Sequence, residues 1–382
     1  MVQEVNEDAL AAGTIRYILD DVYTEFIGAV KQQSVLFGDE IDKNIAIVYT
    51  PLNGAGLGPV TRTLQESGYA NITVVREQEM PNGNFPTCPY PNPEIREAMA
   101  LGIEYAEKQK ADLLLATDPD CDRVGIAVLD AAGEYVFLSG NQMGVLLLDY
   151  ICSQQTKHGR MPEDPVFIKT IVSTDLCERI AAHYGVKTRN VLTGFKYIGE
   201  QIGQMEACGK ADSYIFGFEE SYGYLSGSYV QDKDAVDASL LICEMFCYYA
   251  SQGISLLDRL HMIYEQYGYC LNRVHSYSFE GAAGFETMQK IMAGFRTLSD
   301  HLCGYVIEQK LDYAQGINGL PKADVVKFIL EDNCSVIVRP SGTEPKIKVY
   351  VTVCADSGEI STAAESDGRD DAGCSSRDRI LR

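Results

Sequence analysis

Few histidines, no CxxC pair and a shortage of basic residues mark this 382-residue chain, and each scarcity closes off a class of function. With 32 Lys and Arg against 54 Asp and Glu, the net charge is −22. That balance argues against nucleic acid and anionic membrane as partners, since both require a basic surface. An anionic substrate must then be held by a local cluster of Lys, Arg or backbone amides. The 12 cysteines have no regular spacing and no histidine partners at zinc-finger distances, and many sit in apolar runs such as "LLICEMFCYY". They read as reduced core residues of a cytosolic protein. No run of about 18 apolar residues occurs, and the acidic start "MVQEVNEDAL" lacks the features of a signal peptide. The expected location is cytoplasmic. The remainder is ordinary: 46% hydrophobic and 23% charged residues describe a globular chain with room for two or three domains.

Residues 4 to 37 read as helical, and "NIAIVYT" as a strand ending at the turn "PLNGAGLGPV". A helix from about Val60 to Ser67, a strand "NITVVRE" and a Pro-, Asn- and Gly-rich loop follow. The next helix is predicted to begin near Asn92, with Asn92 as cap, Pro93 in the first turn, and Ile95, Met99 and Ile103 on one face. The strand–helix alternation predicts an α/β architecture with a largely parallel sheet. A second α/β unit starts near Pro165: "PVFIKTIVS", "KTRNVLT" and "SYIFGFEE" are strands, separated by helices over 174–184 and 194–206. A long helix is predicted from Asp234 to Ser251. From Asn272 the pattern changes to strands around one helix, a smaller α+β domain. After Cys354 apolar periodicity ends, and the tail reads as disordered.

Chemistry concentrates in four loops. In "LLLATDPDCDRVGIAV", Asp118, Asp120 and Asp122 lie between two apolar runs that read as buried strands. Carboxylates so close repel, and each needs a proton or a cation. Alternate spacing in an extended loop would point all three to one side, which suits a hard divalent ion such as magnesium. An EF-hand is excluded, because Arg123 and Leu129 occupy the places of its Gly and Glu. Two other readings stay open: an aspartyl-nucleophile phosphatase, and a solvated acidic turn capped by Arg123. The glycines of "NGAGLGP" miss the GxGxxG spacing, so a tight strand-to-helix turn explains them better than a dinucleotide.

In "GFEESYGYLSG", Glu219, Glu220 and Ser221 end an apolar strand and can accept hydrogen bonds from sugar hydroxyls, with Gly223 allowing close approach; a plain acidic turn is the alternative. Lys233, flanked by Asp232 and Asp234, reads either as part of an acidic helix start or as a buried proton carrier or phosphate contact. Lys196 in "TGFKYIG" carries the same pair of readings. The fourth loop, "RPSGTEPK", gathers Arg339, Ser341, Gly342, Thr343 and Lys346, a donor set suited to phosphate, against a plain turn between strands.

The segments "VYTPLNGAG", "GNFPTCPYPNPE", "ATDPDCDRVGIAV", "LTGFKYIG", "GFEESYGYL", "DKDA" and "RPSGTEPKIKVY" together resemble the α-D-phosphohexomutases, the phosphoglucomutase and phosphomannomutase family, in family order. The resemblance implies an α/β fold class: two consecutive three-layer α/β mutase domains followed by a smaller α+β C-terminal domain. It divides the chain into a helical remnant of a first domain (1–40), a metal-binding domain (41–163), a sugar-binding domain (164–270), a phosphate-binding domain (271–354) and the tail (355–382). It implies that Asp118, Asp120 and Asp122 hold Mg2+, with Arg123, Lys196 and Lys233 as catalytic residues. Glu219, Glu220 and Ser221 would bind the sugar, and Arg339, Ser341, Gly342 and Thr343 the phosphate that is not transferred.

The implied activity interconverts hexose 1-phosphate and 6-phosphate, with glucose 1,6-bisphosphate as intermediate and activator. The partner is a small-molecule sugar phosphate; no nucleic acid and no membrane are expected. The family's phosphorylated serine lies in a Ser-His-Asn-Pro-like loop, and none of the five histidines, at 158, 183, 261, 275 and 301, sits in such a context. The expectation is a chain without its nucleophile-bearing domain, inactive alone, or else a non-catalytic sugar-phosphate-binding fragment. The tail also departs from the family pattern, as a frameshift would.

Overall fold

The computed structural model describes residues 7–279, 281–317, 319–341 and 345–355. Three sheets follow one another along the chain. The first has the order β2-β1-β3-β4-β5, from β1 (Ile47–Thr50), β2 (Ile72–Val74), β3 (Leu113–Thr117), β4 (Val124–Leu129) and β5 (Tyr135–Leu138). Strands β1, β2 and β3 run parallel, but β4 and β5 are antiparallel additions, so the sheet is mixed rather than largely parallel. The cause is the tight connection at 118–123, too short for a crossover helix and able only to reverse the chain.

The helices around this sheet differ from expectation at their starts. Residues 7 to 37 are not one helix: α1 (Glu7–Ala11) stops before Gly13, which adopts φ +71°, and α2 (Asp20–Lys31) begins anew. Helix α3 spans Leu57–Glu66 and α4 spans Arg96–Gln109. Asn92 does not cap α4; its side chain accepts from the Glu94 amide 3.0 Å away in a local turn, and Ile95, extended at ψ 120°, precedes the helix. Met99 of α4 is fully buried with Val48, Leu114 and Ala127 on one face of the sheet. Helix α5 (Gly140–Lys157), absent from the sequence reading, opens with a Ser139–Gln142 capping box and buries most of its length.

The second sheet, β7-β6-β8-β9, comprises β6 (Val166–Thr170), β7 (Lys187–Val191), β8 (Tyr214–Glu219) and the antiparallel β9 (Gly223–Leu225). Helices α6 (Leu176–His183) and α7 (Phe195–Ala207) complete its crossovers, followed by α8 (Ala235–Ala250) and a further unpredicted helix, α9 (Leu256–Tyr267). Helix α8 is apolar almost all round and is buried against α3, α5 and β9, so one core cluster joins the faces of both sheets.

The last unit is a six-stranded antiparallel sheet in the order β10-β15-β14-β13-β12-β11. Its members are β10 (Tyr269–Ser278), β11 (His301–Leu302), β12 (Tyr305–Asp312), β13 (Val326–Leu330), β14 (Ser335–Pro340) and β15 (Lys346–Ala355), with α10 (Gly281–Thr297) packed on it. Two consecutive α/β units and a smaller α+β unit are thus present. The tail beyond Ala355 lies outside the described residues.

The cysteines only partly match the expectation of reduced core residues. Cys208 and Cys303 are exposed, and Cys270 and Cys354, direct partners in the antiparallel β10–β15 ladder, are joined as a disulfide. Cys88, Cys121, Cys152, Cys177, Cys243, Cys247 and Cys334 are buried. Alternation along the sequence gives no sign of this pairing, because the partners lie 84 residues apart.

The turn after β1 is what braces the aspartate loop. A Cβ at Gly54 would collide with the Pro119 backbone, and the Ala55 amide donates to the Pro119 carbonyl at 2.8 Å. Gly54→Ala is therefore expected to destabilise the fold by about 1–3 kcal/mol, the usual cost of overpacking, measured as a lower urea midpoint. A midpoint equal to that of the unaltered chain would disprove the contact.

Candidate active site

The β3–β4 ladder closes at the Thr117–Val124 pair, leaving residues 118 to 123 as the connection. It is a turn, not an extended loop: the Cys121 amide donates to the Asp118 carbonyl at 3.0 Å and Cys121 has φ +60°. The three aspartates nonetheless converge, with one carboxylate oxygen of each of Asp118, Asp120 and Asp122 within 4.8 Å of the others. Asp118 is buried, Asp122 half-buried and Asp120 exposed. Asp118 Oδ1 accepts from the amides of Asp122 (3.0 Å) and Arg123 (2.9 Å). Burial, reinforced by the charges of Asp122 and Asp120, pushes the Asp118 carboxyl up to about 7 in spite of the Arg123 amide.

Two cations answer this crowding. Lys233 places Nζ 2.5 Å from Asp122 Oδ2, and Arg123 Nε lies 3.7 Å from both Asp118 and Asp122. Burial works to lower the Lys233 pKa, but the Asp122 hydrogen bond and the carboxylates of Asp122, Asp232 and Glu219 outweigh it and raise it overall. Lys233 is held as an ammonium ion, a property of a charge carrier more than of a proton shuttle at neutral pH. Asp122 Oδ1 is buried with no hydrogen-bond partner. An all-oxygen donor set with one buried oxygen left over fits a hard divalent cation.

Lys233 also links this loop to the second sheet. It precedes α8, whose N-cap Asp234 accepts from the Val236 amide at 2.7 Å, so the acidic helix-start reading of this segment holds as well. Its aliphatic stem lies where a Cβ on Gly223 would be, so the glycine makes room for the lysine.

At the end of β8, Glu219 is buried and accepts from the Gly194 amide at 2.8 Å, joining the sugar-binding candidates to the loop that carries Lys196. Burial raises the Glu219 carboxyl, while the Gly194 amide, Lys233 and Arg123 oppose it. Burial and the Glu219 charge push Glu220 up to about 7, opposed by Arg339. Glu220 accepts from Thr170 at 3.3 Å, and Ser221 sits half-buried in the same turn. Lys196 is exposed, its ammonium 5.0 Å above the Tyr197 ring.

Arg339 ends β14, with Nε and Nη2 3.2 and 3.1 Å from the Tyr350 hydroxyl. Ser341 donates its amide to the Lys346 carbonyl at 2.7 Å. Gly342 and Thr343 lie outside the described residues. The aspartates, Arg123, Lys233, Glu219 and Glu220 thus form one contiguous electrostatic network, and Arg339 joins it through its influence on Glu220.

Sequence reasoning missed Glu94, whose carboxylate holds Arg123 Nη1 at 2.9 Å, and Tyr350, which braces Arg339. Glu94 ends "GNFPTCPYPNPE", a segment quoted for the family resemblance; its charge beside two prolines was the available signal.

Descriptions of three consecutive domains of one family match this chain. They are phosphoglucomutase/phosphomannomutase alpha/beta/alpha domain II over residues 21–132, alpha/beta/alpha domain III over 139–267, and the C-terminal domain over 306–366. A phosphoglucomutase from Staphylococcus aureus is 37% identical over 325 residues, 81% of this chain and 57% of the relative. One from Staphylococcus saprophyticus is 35% identical over 355 residues, covering 89% and 62% respectively. The chain therefore spans about three fifths of the length of these curated relatives.

Among solved structures, pp63/parafusin, a phosphoglucomutase from Paramecium in its open form, superposes with a TM-score of 0.61 at 16% identity, covering 91% of this chain and 60% of that one. An Aspergillus fumigatus N-acetylphosphoglucosamine mutase, solved with GlcNAc-6P and magnesium, gives 0.50 at 15% identity, covering 91% and 70%. These two likenesses concern the fold. On the three matched domains and the two staphylococcal relatives, the chain belongs to the phosphoglucomutase/phosphomannomutase family.

Proposed function

We propose that these residues form the metal-, sugar- and phosphate-binding part of a phosphohexomutase, an isomerase that moves phosphate between the 1- and 6-positions of a hexose. The observation that carries this reading is the Lys233 bridge, which sets the aspartate cluster beside the Glu219–Ser221 turn. Asp118, Asp120 and Asp122 would hold magnesium, which neutralises charge on a transferring phosphoryl group when bound. Arg123, steered by Glu94, and Lys233 add positive charge at the same place. Glu219, Glu220 and Ser221 accept hydrogen bonds from sugar hydroxyls, while Arg339 and Ser341, with Gly342 and Thr343, grip the phosphate that stays. Lys196, next to the Gly194–Glu219 contact, is the third cationic contact.

Glucose 1,6-bisphosphate is the intermediate and activator in this scheme, and the phosphoserine that exchanges with it is absent from these 382 residues. Alone they bind sugar phosphate with little or no turnover, because without a covalent carrier the path itself is missing. The boundaries near residues 40, 163, 270 and 354 are the proposed domain limits. A cytoplasmic location is proposed on the buried thiols of Cys88, Cys121, Cys152, Cys177, Cys243 and Cys247; no helix among the described residues is long and apolar enough to cross a membrane.

The deciding experiment is a coupled assay of glucose 1-phosphate conversion with magnesium and bisphosphate, on this chain alone and supplemented with a serine-loop domain from a relative. Conversion is expected only with the supplement. Robust conversion by the chain alone would contradict the proposed division of labour, and phosphate label trapped on Asp118 would favour an aspartyl phosphatase.

Calorimetric titration with magnesium should show binding that weakens at least tenfold in Asp120→Asn, a substitution of an exposed carboxylate that leaves the fold intact. Unaltered affinity would remove Asp120 from the metal site.

The pH dependence of stability follows from Glu220. Its folded carboxyl keeps a proton up to about 7, whereas its ordinary value is 4.5. Between these values the folded state binds more protons than the unfolded one, so stability falls as pH rises from about 5 to 8. Urea midpoints of Glu220→Gln should decline less across that window than those of the unaltered chain; parallel curves would contradict the burial of Glu220.

A further inference from the structure

A second recess lies away from the aspartate network, in the seam between the second sheet and the C-terminal sheet. It encloses about 490 Å³, within the range of small-molecule sites. Its apolar wall comes from both sides: Ile171 and Val191 from the α/β unit, Leu311, Ile317, Leu320 and Ile329 from the C-terminal unit. Its charged lining residues are Arg189 and Lys327, and no carboxylate among the described residues lines it, in a chain with an excess of 22 negative charges.

The two cations are not equivalent. Lys327 is buried and its ammonium lies 2.8 Å from Asp175, which also pairs with the fully buried Lys169 at 2.8 Å. With Glu178, 3.4 Å from Lys169, two lysines and two carboxylates balance one another, and the Lys327–Asp175 pair ties the two units together. Arg189, on the edge strand β7, is exposed, and its one hydrogen bond to a side chain runs from Nη1 to Gln201 at 3.1 Å, leaving guanidinium donors for a ligand. The amides of Gln201 and Gln309 stand on opposite sides of the recess as further neutral partners.

We propose that this seam is a binding site for a small organic anion with an apolar body, an aromatic or branched-aliphatic carboxylate or sulfonate. The acid group pairs with Arg189 and the body fills the space between Val191 and Ile329. A ligand here touches both units and holds the seam closed. The apolar cluster behind the recess also contains Tyr350, which braces Arg339 of the phosphate-binding candidates. The site stands independently of the mutase reading, because nothing in it is shared with the aspartate network.

The test uses the full chain and 8-anilinonaphthalene-1-sulfonate, an anion with an apolar body whose fluorescence reports binding, with the uncharged N-phenyl-1-naphthylamine as control. Saturable one-to-one binding of the anion is expected, at least tenfold tighter than that of the neutral analogue. Arg189→Glu, an exposed substitution, should weaken the anion at least tenfold while leaving the neutral analogue and the urea midpoint unchanged. Ile329→Trp, which fills the recess, should abolish both. Hydrogen exchange should slow at residues 189–191 and 309–329 when the anion is bound. Equal binding of both probes, or anion binding indifferent to Arg189→Glu, overturns the proposal whether or not the tryptophan variant folds.

Discussion

The ion pair between Lys233 and Asp122 is the contact on which the rest of the site depends. It joins the hairpin loop of the first sheet to the residue before α8, and its stem occupies the space that Gly223 leaves open. Three carboxylates packed at the end of buried strands are self-repelling, and burial together with that repulsion raises the Asp118 pKa. Lys233 and Arg123 offset part of it without removing the room for a metal ion, because Asp122 Oδ1 still lacks a hydrogen-bond partner. The fold thus stores an electrostatic deficit at the place where a cation can relieve it.

Much of this was legible in the letters, for physical reasons. The strands β3 and β4 are short apolar runs with all but the last residue buried, so their hydrophobicity located both the sheet and the loop between them. Asp234 capping α8 was readable from the acidic pattern before a long apolar run. What failed depended on direction or distance. Period-2 hydrophobicity cannot say whether the next strand runs parallel, so the antiparallel direction of β4 went unread, and β5 was not predicted. The Cys270–Cys354 pairing and the Glu94–Arg123 contact join residues far apart in sequence, which no local pattern encodes. Alternation predicted convergence of the aspartates through an extended loop, whereas a left-handed Cys121 achieves it through a turn.

The candidate site residues are spread unevenly over the three units. The metal and sugar candidates lie on the two α/β units, which share a core, while Arg339 and Ser341 arrive on a sheet whose main attachment is the apolar seam around Ile171, Tyr313 and Tyr350, with the Asp175–Lys327 pair. The metal and sugar candidates therefore share a core, whereas the phosphate candidates are attached to them by an apolar seam and an ion pair.

Helix α8 draws the mechanical conclusion. Sheathed by both α/β units, it works as an axle common to the two, so displacing either unit has to carry the helix and disturb the packing of the other.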